Sequence, residues 1–147
     1  MASEQFVVFQ LAQEKYAIPI GQVKEIIRYN GATQLPNALG YMSGIINLRG
    51  KIISIIDLAK KFAMADNKSS TRQALIVEAS GNEVGLLVDS VTEVIRLDDS
   101  AIETANGIAH SNAFIKAIGK VNNSLIIILN LAELFTQAEM TALKNAG

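Results

Sequence analysis

The sequence predicts a mainly β protein made of two small barrels that arose by internal duplication. Residues 9–28 align without gaps to residues 77–96, at an offset of 68, and residues 44–62 align to residues 117–135 at an offset of 73. Both pairs occur in the same order along the chain. This colinearity carries more weight than single matches in an isoleucine-rich chain.

Each copy opens with a hairpin pattern. Residues 6–11 and 16–20 are apolar runs around a polar turn, and residues 74–79 and 84–88 repeat this arrangement in the second copy. Gly81 lies in the second turn, and glycine supplies the positive φ that tight turns need. We therefore expect two equivalent β-hairpins.

Each copy continues with a second hairpin pattern. Residues 45–48 and 52–56 are joined through Arg49, and Asn122 lies at the equivalent turn before residues 125–129. The runs 52–56 and 125–129 barely alternate between apolar and polar residues. That pattern is typical of strands covered on both faces, as inside a barrel or between two barrels.

The sequence predicts few helices. Asp57 and its counterpart Asn130 can each cap a short helix. A capping box that begins at Thr136 predicts a C-terminal helix over residues 136–144. The first copy has a polar linker, residues 63–72, where that helix would follow.

We expect one domain with two lobes, over approximately residues 9–62 together with packing of the termini, and over residues 74–135. A chain of 147 residues, half of them hydrophobic, can bury an ample core. Small barrels also remove the exposed strand edges that so many apolar strands would otherwise present.

Composition excludes several classes of partner and site. The net charge is −1 and the basic residues are scattered, so nucleic acid is not expected as a partner. The absence of cysteine excludes disulfides and thiolate metal sites. The longest apolar run is residues 125–129, and the first residues have no signal-peptide pattern. We therefore expect a cytoplasmic protein without direct membrane insertion.

Few residues can support catalysis. His110 is the single histidine, and no acid or nucleophile is placed to make it a general base. Asp98 and Asp99 are adjacent, so their carboxylates would point apart on an extended chain. No glycine spacing typical of phosphate binding occurs, and a metal site would lack a second histidine. The sequence predicts no catalytic residue, no metal and no cofactor.

Apolar residues follow the first hairpin of each copy at equivalent positions. They are Ile20, Val23, Ile26 and Ile27 in the first copy and Val88, Val91, Val94 and Ile95 in the second. Each of them can be ordinary core. If the two lobes meet about a pseudo-two-fold axis, however, the two segments line a shared groove that suits an amphipathic helix. Glu25 and Glu93 lie within these segments, either at the rim of such a groove or on a solvated face.

The turn Asn47-Leu48-Arg49-Gly50 is a second candidate for recognition. A guanidinium at a hairpin tip can bind the carboxylate of a partner through two parallel hydrogen bonds. Turn residues are often simply exposed, and the spacing does not separate the two interpretations.

Several segments together resemble a known family. They are Tyr16-Ala17-Ile18-Pro19-Ile20, Val23 to Ile27, Leu35-Pro36-Asn37, the stretch from Gly44 to Leu58, and Leu131-Ala132-Glu133-Leu134-Phe135. The chain resembles the CheW-type coupling proteins of bacterial chemotaxis over nearly its whole length, most specifically in residues 44–58. The resemblance implies two five-stranded SH3-like barrels, which agrees with the duplication.

The resemblance also implies a non-enzymatic adaptor. Such a protein joins the cytoplasmic tip of a chemoreceptor to the regulatory domain of a CheA-type histidine kinase, in receptor arrays at the membrane. By position, the receptor-binding groove would use Ile20, Val23, Glu25, Ile46, Asn47, Arg49, Leu87, Val88, Val91 and Val94. A kinase-binding patch would lie in residues 103–108, with Glu103 and Ile108 as its contacts.

Other functions fit the residues less well. A generic SH3-like peptide-binding scaffold would rely on aromatic residues, and the chain has no Trp and three Tyr. A hydrolase or transferase is opposed by the single histidine. Within the family, an adaptor of a non-flagellar system, controlling pili or another output, is an open alternative.

Overall fold

The computed structural model describes residues 2–36, 38–64, 72–79, 81–104, 114–136 and 139. The strands are β1 (Ser3–Leu11), β2 (Glu14–Pro19), β3 (Val23–Arg28), β4 (Met42–Leu48), β5 (Lys51–Asp57), β6 (Gln73–Ala79), β7 (Asn82–Val88), β8 (Ser90–Asp98), β9 (Ile102–Thr104), β10 (Ile115–Val121) and β11 (Ser124–Leu129). A short helix, α1 (Leu58–Lys61), follows β5, and 3-10 turns cover Ile20–Gln22, Asp99–Ala101 and Leu131–Glu133. No helix in these ranges is long and apolar enough to cross a membrane.

The strands form two sheets, which confirms the mainly β fold with two barrels. Barrel A has the strand order β8-β1-β2-β11-β10-β9, and barrel B has the order β3-β6-β7-β5-β4. The sixth strand of barrel A, β9, pairs with β10 over three residues. A single bridge between Thr33 and Ile45 takes its place in barrel B. The two barrels therefore have the same plan, with five strands in common.

The strand register confirms that the two copies are structurally equivalent. In barrel B, β5 and β7 run parallel with Ile55 opposite Gly85. In barrel A, β11 and β2 run parallel with Ile128 opposite Ala17. Ile55 and Ile128 are 73 residues apart, and Ala17 and Gly85 are 68 residues apart. Equivalent residues thus make equivalent pairs in both barrels.

The expected lobe boundaries are wrong, because they do not match the barrels. The first hairpin, β1–β2, belongs to barrel A together with β8–β11, whereas the second hairpin, β6–β7, completes barrel B. Each barrel therefore combines a hairpin from one copy with strands from the other, so residues 9–62 and 74–135 are not separate lobes. A sequence repeat identifies equivalent strands, but it does not say which copy supplies the neighbouring strand.

Three apolar clusters hold this arrangement together. One fills barrel A, around Phe6 and Val8, and one fills barrel B, around Ile53 and Ile55. The third, which we call the inter-barrel cluster, lies between the barrels. It contains Val7, Phe9, Leu11, Tyr16, Ile18, Ile56, Leu58, Leu75, Val77, Ala79, Val84, Leu86, Val88, Leu129, Leu131, Leu134 and Phe135. Successive residues of a strand point to opposite faces, so β5 is covered on both faces, as its non-alternating sequence predicts, and β1 is covered in the same way.

The predicted caps are confirmed. The Asp57 side chain accepts a hydrogen bond from the backbone N–H of Lys60 (3.2 Å), and Asn130 accepts one from Ala132 (3.1 Å). Thr136 and Glu139 form a capping box, with N···O distances of 2.8 and 3.1 Å. The other residues of the predicted C-terminal helix, and His110, lie outside the described residues.

Candidate functional site

The predicted groove lies where the two barrels meet. Val23 on β3 and Val91 on β8 are half-buried, and both pack against the inter-barrel cluster. The backbone N–H of Val91 donates to the side chain of Gln73 in barrel B (2.8 Å), which ties the barrels together at this point. The seam is thus filled by the side chains of the chain itself. Val23 and Val91 lie at its margin, where they are only partly buried.

An exposed apolar pair lies beside these valines. Ile26 is opposite Leu75 on the neighbouring strand, and Val94 is opposite Val7. Side chains opposite each other across a strand pair share a face, and both partners belong to the inter-barrel cluster. Ile26 is 39% exposed and Val94 is 50% exposed. We call Ile26 and Val94 the seam pair. Ile26 on barrel B and Val94 on barrel A each share a face with a residue of the inter-barrel cluster, and each is exposed to solvent.

Ile26 is absent from the ten groove residues that the resemblance implies. Its offset of 68 from Val94 is the signal that identifies it from the sequence. Ile20, which opens the 3-10 turn between β2 and β3, is also exposed, at 40%. Ile46 is half-buried against the cluster inside barrel B.

Two of the ten predicted residues are core residues. Leu87 packs inside barrel B, and Val88 packs in the inter-barrel cluster; each is 1% exposed. A fully buried side chain cannot contact a partner while the fold is intact. Leu87 and Val88 are therefore removed from the candidate surface. The repeat misleads here because Ile20, the equivalent of Val88, lies at the surface.

Arg49 binds a carboxylate of its own chain. Its guanidinium donates to both oxygens of Glu25, from Nη1 to Oε2 at 2.9 Å and from Nη2 to Oε1 through a shorter bond. Arg49 and Gly50 have φ of 52° and 85°, as a two-residue hairpin turn requires. The Asn47 side chain accepts a hydrogen bond from the N–H of Gly50 at 2.8 Å. Asn47 therefore fixes the turn that directs Arg49 toward β3.

This ion pair sets the electrostatics at one end of barrel B. The hydrogen bond from Arg49 and its positive charge lower the pKa of Glu25, although some desolvation acts in the opposite direction. Lys51 and Glu83 form a second ion pair at 2.8 Å beside it. All four side chains line a shallow cleft of about 320 Å³. The charged side chains of this cleft are therefore already paired with one another.

The predicted kinase patch is only partly described. Glu103 lies on β9 and forms an exposed ion pair with Lys120 of β10. Ile108 lies outside the described residues. Among those that are described, no group of three or more His, Cys, Asp or Glu side chains is arranged to hold a metal ion.

A family model described as the CheW-like domain matches residues 5–139. The chain belongs to the CheW-like family. It is 33% identical over 132 residues to the chemotaxis protein CheW of Helicobacter pylori, covering 88% of this chain and 80% of the relative. It is 32% identical over 147 residues to the chemotaxis protein CheW of Klebsiella aerogenes, covering 98% and 89% of the two chains.

A solved structure supports the same assignment. The scaffolding protein TtCheW from Thermoanaerobacter tengcongensis is 38% identical, with a TM-score of 0.86, over 94% of this chain and 96% of that one. These relatives confirm a CheW-type adaptor in chemotaxis. They do not favour the generic peptide-binding scaffold or the non-flagellar variant.

Proposed function

We propose that this adaptor couples the cytoplasmic tip of a chemoreceptor to the regulatory domain of a CheA-type histidine kinase. The receptor binds on the face that carries the seam pair, and the complex belongs to arrays at the membrane. The single observation that supports this most strongly is that duplicated positions, Ile26 and Val94, are both exposed on the face that adjoins the inter-barrel cluster.

Such a face suits a helical partner. An amphipathic helix presents apolar side chains at i, i+3, i+4 and i+7, and these can bridge two apolar side chains held on adjacent barrels. Burying an isoleucine or valine contributes about 1.5–3 kcal/mol per side chain. Val23 and Val91 lie on the same strands as the seam pair and pack against the inter-barrel cluster. We therefore expect them to hold these strands in position. Ile20 extends the apolar surface beside β3.

The polar residues of the proposed site lie beyond the edge of the seam face, because Glu25 points to the other side of β3 from Ile26. Glu25, Asn47 and Arg49 lie on β3 and at the β4–β5 turn, and their side chains are exposed or half-buried. Ile46 lies on the same hairpin. Interfaces commonly surround an apolar centre with polar groups of this kind. We expect these polar groups to orient the receptor and the seam pair to supply the binding free energy.

The kinase contact at Glu103 and Ile108 stays a prediction from the sequence. Regulation of the kinase requires that the adaptor make different contacts in two kinase states, since a partner shifts an equilibrium only through differential affinity. The receptor site and the kinase site therefore have to be separate surfaces of the same chain.

Co-sedimentation with receptor-bearing membranes tests the receptor site. We expect Val94→Asp to lose binding, because a carboxylate on the seam face would be buried without a partner. Leu125→Asp is the matched control, since Leu125 is 62% exposed on a different strand, β11, of the same barrel. Val94 is half-exposed, so the variant should keep its fold, which circular dichroism checks. Normal co-sedimentation of folded Val94→Asp would contradict the proposed site.

A further inference from the structure

A second cleft lies at the opposite end of barrel B from Arg49. It has a volume of about 430 Å³. Its polar lining consists of Tyr29, Gln34, Ser43, Asp57, Lys60 and Arg72. It is separate from the proposed receptor site, because Asp57 and Lys51 lie at the two ends of β5.

Arg72 is held in a fixed position in this cleft. Its Nη1 lies 3.4 Å from Oδ2 of Asp57, and the guanidinium lies 5.4 Å from the centre of the Tyr29 ring. The backbone N–H of Tyr29 donates to the carbonyl of Arg72 at 3.1 Å. The buried Nε has no acceptor in the part of the chain that the structure describes. Burying an unpaired donor is unfavourable, so the guanidinium retains unused capacity to donate a hydrogen bond.

The cleft carries excess positive charge. The carboxylate of Asp57 compensates the charge of one cation, and its Oδ1 also accepts the hydrogen bond that caps α1. Lys60 is exposed and forms no ion pair with another described residue. Among the described residues, Arg72 and Lys60 together therefore leave one positive charge without a partner. The hydroxyl of Ser43 and the amide of Gln34 add hydrogen-bonding groups to the lining.

The fold itself does not impose this charge. At the offsets of the duplication, Arg72 corresponds to Glu4 in barrel A, and Lys60 corresponds to Glu133. Asp57 corresponds to Asn130. The equivalent end of barrel A thus carries acidic residues where barrel B carries basic ones, although both ends are built from equivalent strands.

We propose that the cleft of barrel B binds a carboxylate. Arg72 and Lys60 supply the charge, and Ser43 and Gln34 supply further hydrogen bonds. A single negative charge matches the one cation that the described residues leave uncompensated, whereas a phosphate dianion would bring a second negative charge toward the buried Asp57. The carboxylate belongs to a free small acid or to an acidic side chain, and both present the same group. This inference does not depend on the proposed receptor site.

Nuclear magnetic resonance of the full-length chain tests the site. We titrate sodium acetate at constant ionic strength, balanced with sodium chloride, and follow the backbone amides of Ser43 and Lys60 and the Nε–H signal of Arg72. We expect saturable shifts. Lys60→Gln should raise the apparent Kd about fivefold, because one charge-assisted contact is lost. Lys116→Gln is the control, since Lys116 is exposed at the equivalent end of barrel A.

Three results would overturn the proposal. These are equal shifts with chloride alone, equal affinity of Lys60→Gln and the unmodified chain, and tighter binding of inorganic phosphate than of acetate. A blocked peptide with one glutamate distinguishes the two sources of the carboxylate. Competition with acetate supports an acidic side chain, and acetate binding without competition supports a free acid.

Discussion

The two barrels are built on one plan but differ at their hairpin ends. Glu25 in barrel B and Glu93 in barrel A are equivalent, yet Glu25 is bound by Arg49 through two hydrogen bonds. Glu93 lies 3.9 Å from Lys15. The reason is that Asn122 stands in barrel A at the position of Arg49. The two copies thus share a backbone plan but carry different polar side chains at equivalent hairpin turns.

The apolar residues have diverged less than the charges. The seam pair is exposed in both copies, and so are Ile52 and Leu125, which are equivalent residues near the β4–β5 and β10–β11 turns. A partner that used the seam pair would therefore meet similar apolar groups on both barrels but the charged Arg49–Glu25 pair, beyond the edge of the seam face, on one side only. That asymmetry would fix the direction of a bound helix.

The largest effects on the free energy of unfolding should come from truncating side chains of the inter-barrel cluster. These effects should be equal in the two copies. Ile18 and Leu86 are equivalent, and both are 0% exposed within this cluster. Truncation of either to Ala should cost about 2–5 kcal/mol, since it leaves a cavity between the barrels. Urea unfolding measures both free energies. A large loss in one variant and little in the other would mean that the barrels do not share this core.

A smaller loss of stability should come from a substitution at Gly85, where the equivalent residue in the other copy has one more carbon atom. A Cβ added at Gly85 would lie 2.4 Å from Cδ1 of Ile55 and 3.2 Å from Cδ1 of Ile76. Its equivalent in barrel A is Ala17. We expect Gly85→Ala to destabilise the fold by about 1–3 kcal/mol through overpacking. Thermal unfolding of Gly85→Ala measures the loss, and the double variant Gly85→Ala with Ile55→Val should recover part of it. Unchanged stability of the single variant would refute this packing.

A pH-dependent effect should come from a charged contact that joins the C-terminal residues to barrel B. Lys61 lies 3.1 Å from Glu139 and 4.6 Å from the centre of the Tyr41 ring, and Tyr41 donates a hydrogen bond to Glu139. Partial burial acts to raise the pKa of Glu139, but hydrogen bonds from Thr136, Tyr41 and Lys61 lower it to about 2. In the second copy, the position equivalent to Lys61 is occupied by Leu134.

A carboxyl whose pKa is lower in the folded state stabilises the fold above its unfolded pKa. The contribution of Glu139 should therefore be complete above pH 4.5 and lost as the pH falls toward about 2. We expect Glu139→Gln to lower the free energy of unfolding by about 1–2 kcal/mol at pH 7 and much less near pH 2. Melting curves across this range measure the difference. A loss that is the same at both ends would exclude a role for the charge.

The smallest effect on stability should come from Arg49. Its ion pair with Glu25 is exposed, and such pairs contribute little to folding. Arg49→Gln should leave the melting temperature nearly unchanged, while the pKa of Glu25 rises toward its ordinary value because the hydrogen-bonding cation is gone. A carboxyl-detected NMR titration measures this pKa. If it stays low in the variant, another group must stabilise the Glu25 carboxylate.

Local rules were sufficient to predict much of this fold. The turn at Arg49, the caps at Asp57 and Asn130 and the capping box at Thr136 each depend on a few neighbouring residues. The repeat predicted which strands are equivalent. It could not reveal the exchange of hairpins between the copies, because strand pairing depends on contacts distant in sequence.

The candidate site was only partly predictable for the same reason. The partner of Arg49 is Glu25, which lies 24 residues earlier on another strand. Nothing in the spacing identifies that pair. Leu87 and Val88 have the same apolar character as Val94, and only the fold separates buried positions from exposed ones. Ile26 was among the eight apolar residues that the duplication predicted for the groove, although the resemblance did not include it.

The most direct test of the proposed receptor site is methyl NMR of the labelled adaptor with an added receptor-tip fragment. The account predicts that the methyl signals of Ile26 and Val94 shift or broaden together at the same fragment concentration. The signal of Leu125 on β11, which is also exposed, should stay unchanged. A response at Leu125 without one at Ile26 and Val94 would contradict the assignment of the receptor to the seam.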